Sequence, residues 1–234
     1  MAKARRSNYY GDTDQFLYQA LADGAASGRG WNLKGKDVVI IGSLEPWYEA
    51  VCLAEEAASC TTIEYNRLDF EHPRLRTLTV DEYSSMEEKP TFDVALSISS
   101  FEHDGLGRYG DPLDANGDLQ AMDRMRRVVK PSGFLLLAVP VGGDVIKWNA
   151  HRKYGRVRLP VLLNYWSLVA QVGLTQQLLD DPNPDTHIQP VFVLKNDGGK
   201  HAGGSWGGGD RTPRSGRQEA SALVDSLDWD SMLK

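Results

Sequence analysis

From Asp37 onward the chain alternates short runs of β-branched and apolar residues with stretches whose apolar positions recur at helical spacing. That alternation predicts an α/β fold, a mostly parallel sheet clothed by helices on both faces. Candidate strands fall at residues 37–41, 61–65, 76–80, 92–98, 134–139, 174–179 and 189–194. Several are apolar at nearly every position, as expected of strands buried on both sides. Helical spacing marks residues 46–58, 118–129 and 161–172, the first opening on Pro46. These helices stop before Cys60, before the turn Lys130-Pro131-Ser132-Gly133, and before Gly173. A further amphipathic helix at residues 14–26 precedes the sheet and is placed to cover an edge or a pocket mouth.

After Asn196 the pattern collapses into a run rich in Gly, Ser and Arg that buries too little apolar surface to offset its ordering entropy. Helical spacing returns at residues 218–233 through Leu223, Val224, Leu227 and Met232. That segment reads either as a frayed tail or as a tethered helix that docks on a protein partner. The expected organisation is an N-terminal segment with a covering helix (1–34), one α/β domain (35–196) and a Gly-rich tail (197–234).

Lys and Arg total 26 against 32 Asp and Glu, a formal charge of -6, so the chain lacks the basic footprint of a nucleic-acid binder. Its basic start is followed by no apolar run of signal-peptide length, and no membrane-spanning run occurs. A soluble, cytoplasmic protein is expected. The two cysteines, Cys52 and Cys60, lie eight positions apart in or beside one expected helix, too far along it to bridge. They read as reduced core thiols, and no metal site is expected.

In an open parallel sheet, ligands settle at the carboxyl ends of the strands where the strand order reverses. At the first strand end, Gly42-Ser43 opens a turn in which glycine permits close approach of backbone to ligand. Glu64, with Tyr65 beside it, ends the second strand about twenty residues beyond Gly42, the spacing at which a carboxylate accepts both ribose hydroxyls of an adenosine ligand. Asp81 ends the third strand, where it serves an adenine amino group or caps a helix.

The fourth strand runs through Ser97 and Ser99 into the densest polar cluster of the chain, Glu102-His103-Asp104-Gly105-Leu106-Gly107-Arg108-Tyr109-Gly110-Asp111. His103 is the candidate general base, with a hydrogen-bonded scaffold role as its alternative, and Asp111 or Glu102 is placed to orient it. Beyond the fifth strand, His151, Arg152, Lys153, Arg156 and Arg158 put five cationic or ionisable bases in eight residues, flanked by Trp148 and Tyr154. This stretch reads as a wall for an anionic acceptor or as a solvated loop. With Arg108 and Tyr109, its residues His151, Arg152 and Tyr154 are the candidate substrate contacts. A nicotinamide-dependent oxidoreductase would want a fuller glycine fingerprint than the lone Gly42.

Taken together, the Gly42-Ser43 to Pro46-Trp47 turn, the Glu102 to Pro112 run and the Trp148-Asn149-Ala150-His151-Arg152-Lys153-Tyr154-Gly155 run resemble the DUF268 family, itself similar to class I methyltransferases. The resemblance spans residues 35–163 approximately. It implies a Rossmann-like, seven-stranded sheet with the last strand antiparallel and an S-adenosylmethionine site at Gly42, Glu64 and the 97–101 strand end. The implied activity is methyl transfer to a small-molecule or glycan acceptor. Ser43-Leu44-Glu45-Pro46 stands where methyltransferases usually carry more glycines, and Glu45 brings negative charge to that turn.

Overall fold

A computed structural model of the chain describes residues 9–198. The expected tail and its helix at residues 218–233 lie outside the described residues. The strands are β1 (Asp37–Ile41), β2 (Ser59–Glu64), β3 (Leu75–Thr79), β4 (Phe92–Ile98), β5 (Val129–Ala138), β6 (Val145–Lys147), β7 (His151–Lys153), β8 (Ser167–Val172) and β9 (Val191–Lys195). The helices are α1 (Asp12–Ser27), α2 (Trp47–Ala54), α3 (Val80–Ser85), α4 (Gly117–Val128), α5 (Arg158–Leu163) and α6 (Gln176–Leu179), with a 3-10 turn at Phe101–His103.

Seven strands form one sheet in the order β3-β2-β1-β4-β5-β9-β8, and β6 pairs with β7 as a separate hairpin. Pairing is parallel except for β9, which runs antiparallel to both neighbours. The sheet is therefore Rossmann-like and mostly parallel, with its last strand reversed. Strand order reverses between β1 and β4, so loops and helices leaving these strands diverge there and open a crevice.

Alternation along each strand feeds two cores, one on each face. Val39, Ala95, Leu135 and Leu137 pack with Met122 and Met125 of α4 and Leu159 and Leu162 of α5. Val38, Ile40, Leu96 and Leu136 pack with Leu17 and Leu21 of α1 and Tyr48, Val51 and Cys52 of α2. The segment ahead of α1 is held by Asp14, fully buried, which accepts the amides of Tyr9 and Tyr10 and the Tyr48 hydroxyl. Among the described residues, no helix is long and apolar enough to cross a membrane.

Three expectations are corrected. The helix expected at 161–172 is α5, ending at Leu163, then a left-handed residue at Tyr165 (φ 68) and the strand β8. The turn lets residues 167–172 join the sheet, where their partly buried side chains suit an edge strand. The strand expected at 174–179 contains α6 instead, its first turn capped by the Thr175 hydroxyl, which accepts from Leu178 N–H at 3.1 Å. Leu174 and Leu178 are buried four residues apart, a helical spacing that a short apolar run disguises as a strand. Finally, α2 ends at Ala54 and the chain doubles back, so Cys60 stands on β2 rather than further along that helix. The two free thiols are buried neighbours, and a hydrogen bond to Cys60, followed by burial, pushes the Cys52 thiol up.

Candidate functional site

A cavity of about 570 Å³ opens at the carboxyl ends of β1, β2 and β4, within the range typical of small-molecule sites. Gly42 lines it with φ 74, a left-handed conformation that strains other residues. A Cβ there would also stand 2.3 Å from the Ser100 hydroxyl, so glycine is required both by backbone angle and by packing. Ser43 lines the cavity, but its hydroxyl turns inward, donating to the Glu45 carbonyl at 2.9 Å and lying 3.1 Å from the Glu49 carboxyl.

Glu64 and Tyr65 line the cavity from the end of β2. Among the described residues, the Glu64 carboxylate accepts only two long contacts, both from Asn66, 3.4 Å to its amide and 3.5 Å to its side-chain nitrogen. Its acceptor capacity is largely unspent, and the donor chemistry fits the hydroxyls of an adenosine ligand. Ser99 also lines the cavity, donating to Glu102 at 2.7 Å and accepting from Gln189 at 3.0 Å.

His103 lines the cavity from the 3-10 turn. Its Nδ1 faces the Ala150 carbonyl, and because a carbonyl only accepts, that nitrogen carries the proton. Nε2 is left with its lone pair, 3.7 Å from the Glu102 carboxyl. Burial, then the nearby Arg108 and Arg152 guanidinium groups, hold His103 below the usual histidine range despite the Ala150 hydrogen bond. Burial also pushes Glu102 up to about 7 and Asp104 up to about 7, the latter in spite of Arg124 at 3.8 Å.

Seven of the expected site residues do not line the cavity: Arg108 and His151, which stand beside residues that do, and five more. Asp81 is exposed on α3, and the cap of that helix is Thr79, in a reciprocal pair with Glu82. Ser97 is sealed within β4. Asp111 accepts from the amides of Gly105 (2.7 Å), Gly107 (3.1 Å) and Tyr109 (3.2 Å), so its carboxylate shapes the loop. Burial alone would raise its carboxyl, but those amides outweigh it and hold the group low. Arg152 and Tyr154 are fully buried, the phenol donating to Asp118 at 3.0 Å.

Asp111→Ala is expected to cost about 1–3 kcal/mol by stranding these amides. Hydrogen exchange at residues 105–109 should accelerate sharply; unchanged protection there would return Asp111 to the catalytic candidates.

Of the expected acceptor contacts, Tyr109 lines the cavity and Arg108 lies over its ring at 5.6 Å. His151 stands edge-on to His103, with ring centres 6.3 Å apart. Sequence reasoning missed Tyr9 and Tyr10, which the Asp14 latch and the stacking of Tyr9 on Trp47 hold at the cavity, and Tyr83 and Arg124, which α3 and α4 bring in from the side. Asp104 was visible within the polar run, but nothing in the sequence separated it from its charged neighbours.

This strand order and crevice are those of a Rossmann-like fold, which solved methyltransferase structures share. The N-methyltransferase NodS from Bradyrhizobium japonicum, in complex with S-adenosyl-L-homocysteine, is similar at TM-score 0.51 and 14% identity, over 83% of this chain and 95% of that one. A putative SAM-dependent methyltransferase from Streptococcus mutans is similar at TM-score 0.51 and 11% identity, over 80% of this chain and 49% of that one. No curated protein matches the chain. The family is shown directly: residues 35–187 match the family described as Caenorhabditis protein of unknown function, DUF268, and the chain belongs to it.

Proposed function

We propose that this protein is an S-adenosylmethionine-dependent methyltransferase whose acceptor is a small molecule or glycan. The observation that carries the reading is that Gly42 and the underused carboxylate of Glu64 flank one cavity at the point where strand order reverses. The bound cofactor would supply an electrophilic methyl group on a sulfonium. Gly42 and the backbone at Ser43 would form one wall for it, and Glu64 with Tyr65 would hold its ribose end.

The chain's other task is to take up the proton that the acceptor releases. Neutral His103, fixed through Nδ1 by the Ala150 carbonyl, offers Nε2 for this purpose, with the Glu102 carboxyl 3.7 Å from that nitrogen to stabilise the imidazolium that forms. Most of the rate enhancement would come from positioning within the enclosed cavity.

Titration calorimetry of the chain with S-adenosylmethionine, S-adenosylhomocysteine and NAD tests the reading. Saturable binding of the first two at about micromolar affinity, with none of NAD, is expected. Silence toward both adenosyl ligands would overturn it.

A further inference from the structure

We infer that Arg108, His151 and His187, with Lys147, form an anion-binding subsite at the mouth of the cavity, taking a phosphate or carboxylate group carried by the acceptor. The assignment of that anion to an acceptor rests on the methyltransferase reading; the geometry of the subsite does not.

Three imidazoles stand in a row. His103 lines the cavity; His151, at the start of β7, meets it edge-on at 6.3 Å; His187, on the segment before β9, meets His151 edge-on at 5.1 Å. Arg108 flanks this row from the loop after the 3-10 turn. It donates to the Asn149 carbonyl at 3.4 Å and covers the ring of Tyr109, which in turn stands 5.5 Å from His103. The hairpin tip is thereby tied to the cavity rim at two points, through Asn149 and through the Ala150 carbonyl that His103 holds.

The charges acting on His151 are His187, His103, Lys147 and Arg108, all basic. Nearby carboxylates are committed elsewhere. Asp185 pairs with Lys147 at 3.2 Å on the exposed surface, Asp111 binds loop amides, and Glu102 accepts from Ser99. Arg152, the next residue of β7, faces inward and adds no accessible charge. Apart from Asp185 on Lys147, no carboxylate among the described residues pairs with Arg108, His151 or His187, so an anion joining them meets cationic and protonatable groups that lack a counter-charge. A metal is a poorer fit: among the described residues, no group of three or more His, Cys, Asp or Glu is placed to hold one.

Burial, followed by the basic neighbours, holds His151 below the usual histidine range, so it is neutral in the unliganded site near neutral pH. An anion favours the imidazolium and raises that pKa, so binding draws in protons. Affinity must then strengthen as pH falls and fade as pH rises.

Sulfate and acetate, which keep their charge between about pH 8 and about pH 6, are the probes. Calorimetry at constant ionic strength should find saturable binding that tightens about tenfold or more across this interval, with proton uptake visible as a heat that depends on the buffer. The double variant Arg108→Gln, His187→Gln should weaken binding at least about tenfold. Saturation by sulfate alone would assign the site to phosphate esters, and saturation by acetate would assign it to carboxylates. Absence of saturable binding, pH-independent affinity, or parental affinity in the double variant would each overturn the proposal. No adenosyl ligand is present in this titration, so its failure and that of the cofactor reading are separable.

Discussion

Arg152→Ala is expected to destabilise the fold by about 3–5 kcal/mol, the usual cost of breaking a buried charge network from one side. At two to four degrees per kcal/mol for a chain of this size, the melting midpoint should fall by roughly 10 °C. The guanidinium is fully buried and donates to the carbonyls of Asp104 (2.5 Å), Asp114 (3.2 Å), Ala115 (3.3 Å) and Glu102 (3.4 Å). It therefore binds the loop that carries His103 and Asp104 to the chain entering α4. Its Nε also stands 3.7 Å from Asp118, a buried carboxylate that additionally receives Tyr154 and Arg158. Removing the guanidinium takes a donor from four carbonyls, of which those of Asp114 and Ala115 keep the Gly117 amide and Arg158, and leaves a void. Arg152→Lys should recover little, because a single ammonium lacks the planar fork that reaches several carbonyls at once. Circular dichroism melting checks this; a variant that melts like the parent but loses acceptor binding would place Arg152 at the acceptor after all.

The same residue shows where sequence reading stops. β1 and β4 have the boundaries expected, because a run such as Val38-Val39-Ile40-Ile41 suits only a strand covered on both faces. Gly42 and Glu64 were legible for a related reason: strand ends fix their location, and strand order fixes which ends face the crevice. The cation-rich stretch at 151–158 was legible as charge but not as direction. Arg152 and Lys153 are buried, Arg156 pairs with Asp180 at 2.8 Å, and Arg158 chelates Asp118, leaving His151 to face the cavity rim. Partners remote in sequence made those choices. His187 was invisible as a site residue for the same reason, since only the approach of the β9 lead-in to β7 sets it against His151.

Glu64→Ala is expected to reduce affinity for S-adenosylhomocysteine by about a hundredfold or more while leaving the melting midpoint close to the parent's. Hydrogen bonds to a charged acceptor contribute about 1.5–3 kcal/mol each, so losing two ribose hydroxyl contacts removes at least about 3 kcal/mol of binding. The fold should tolerate the change because Glu64 holds no distant element: its contacts at 3.4 Å and 3.5 Å are both to Asn66, two residues away. Removing a nearly buried carboxylate that has few partners also relieves a desolvation cost in the unliganded protein, opposing the loss of its weak contacts. Glu64→Gln should fall between parent and alanine, since one amide oxygen remains to accept while the charge is gone. Calorimetry on all three proteins, paired with their melting curves, separates binding from stability. Parental affinity in Glu64→Ala would remove the ribose contact from the end of β2, whereas lost affinity accompanied by a collapsed melting curve would make Glu64 a structural residue.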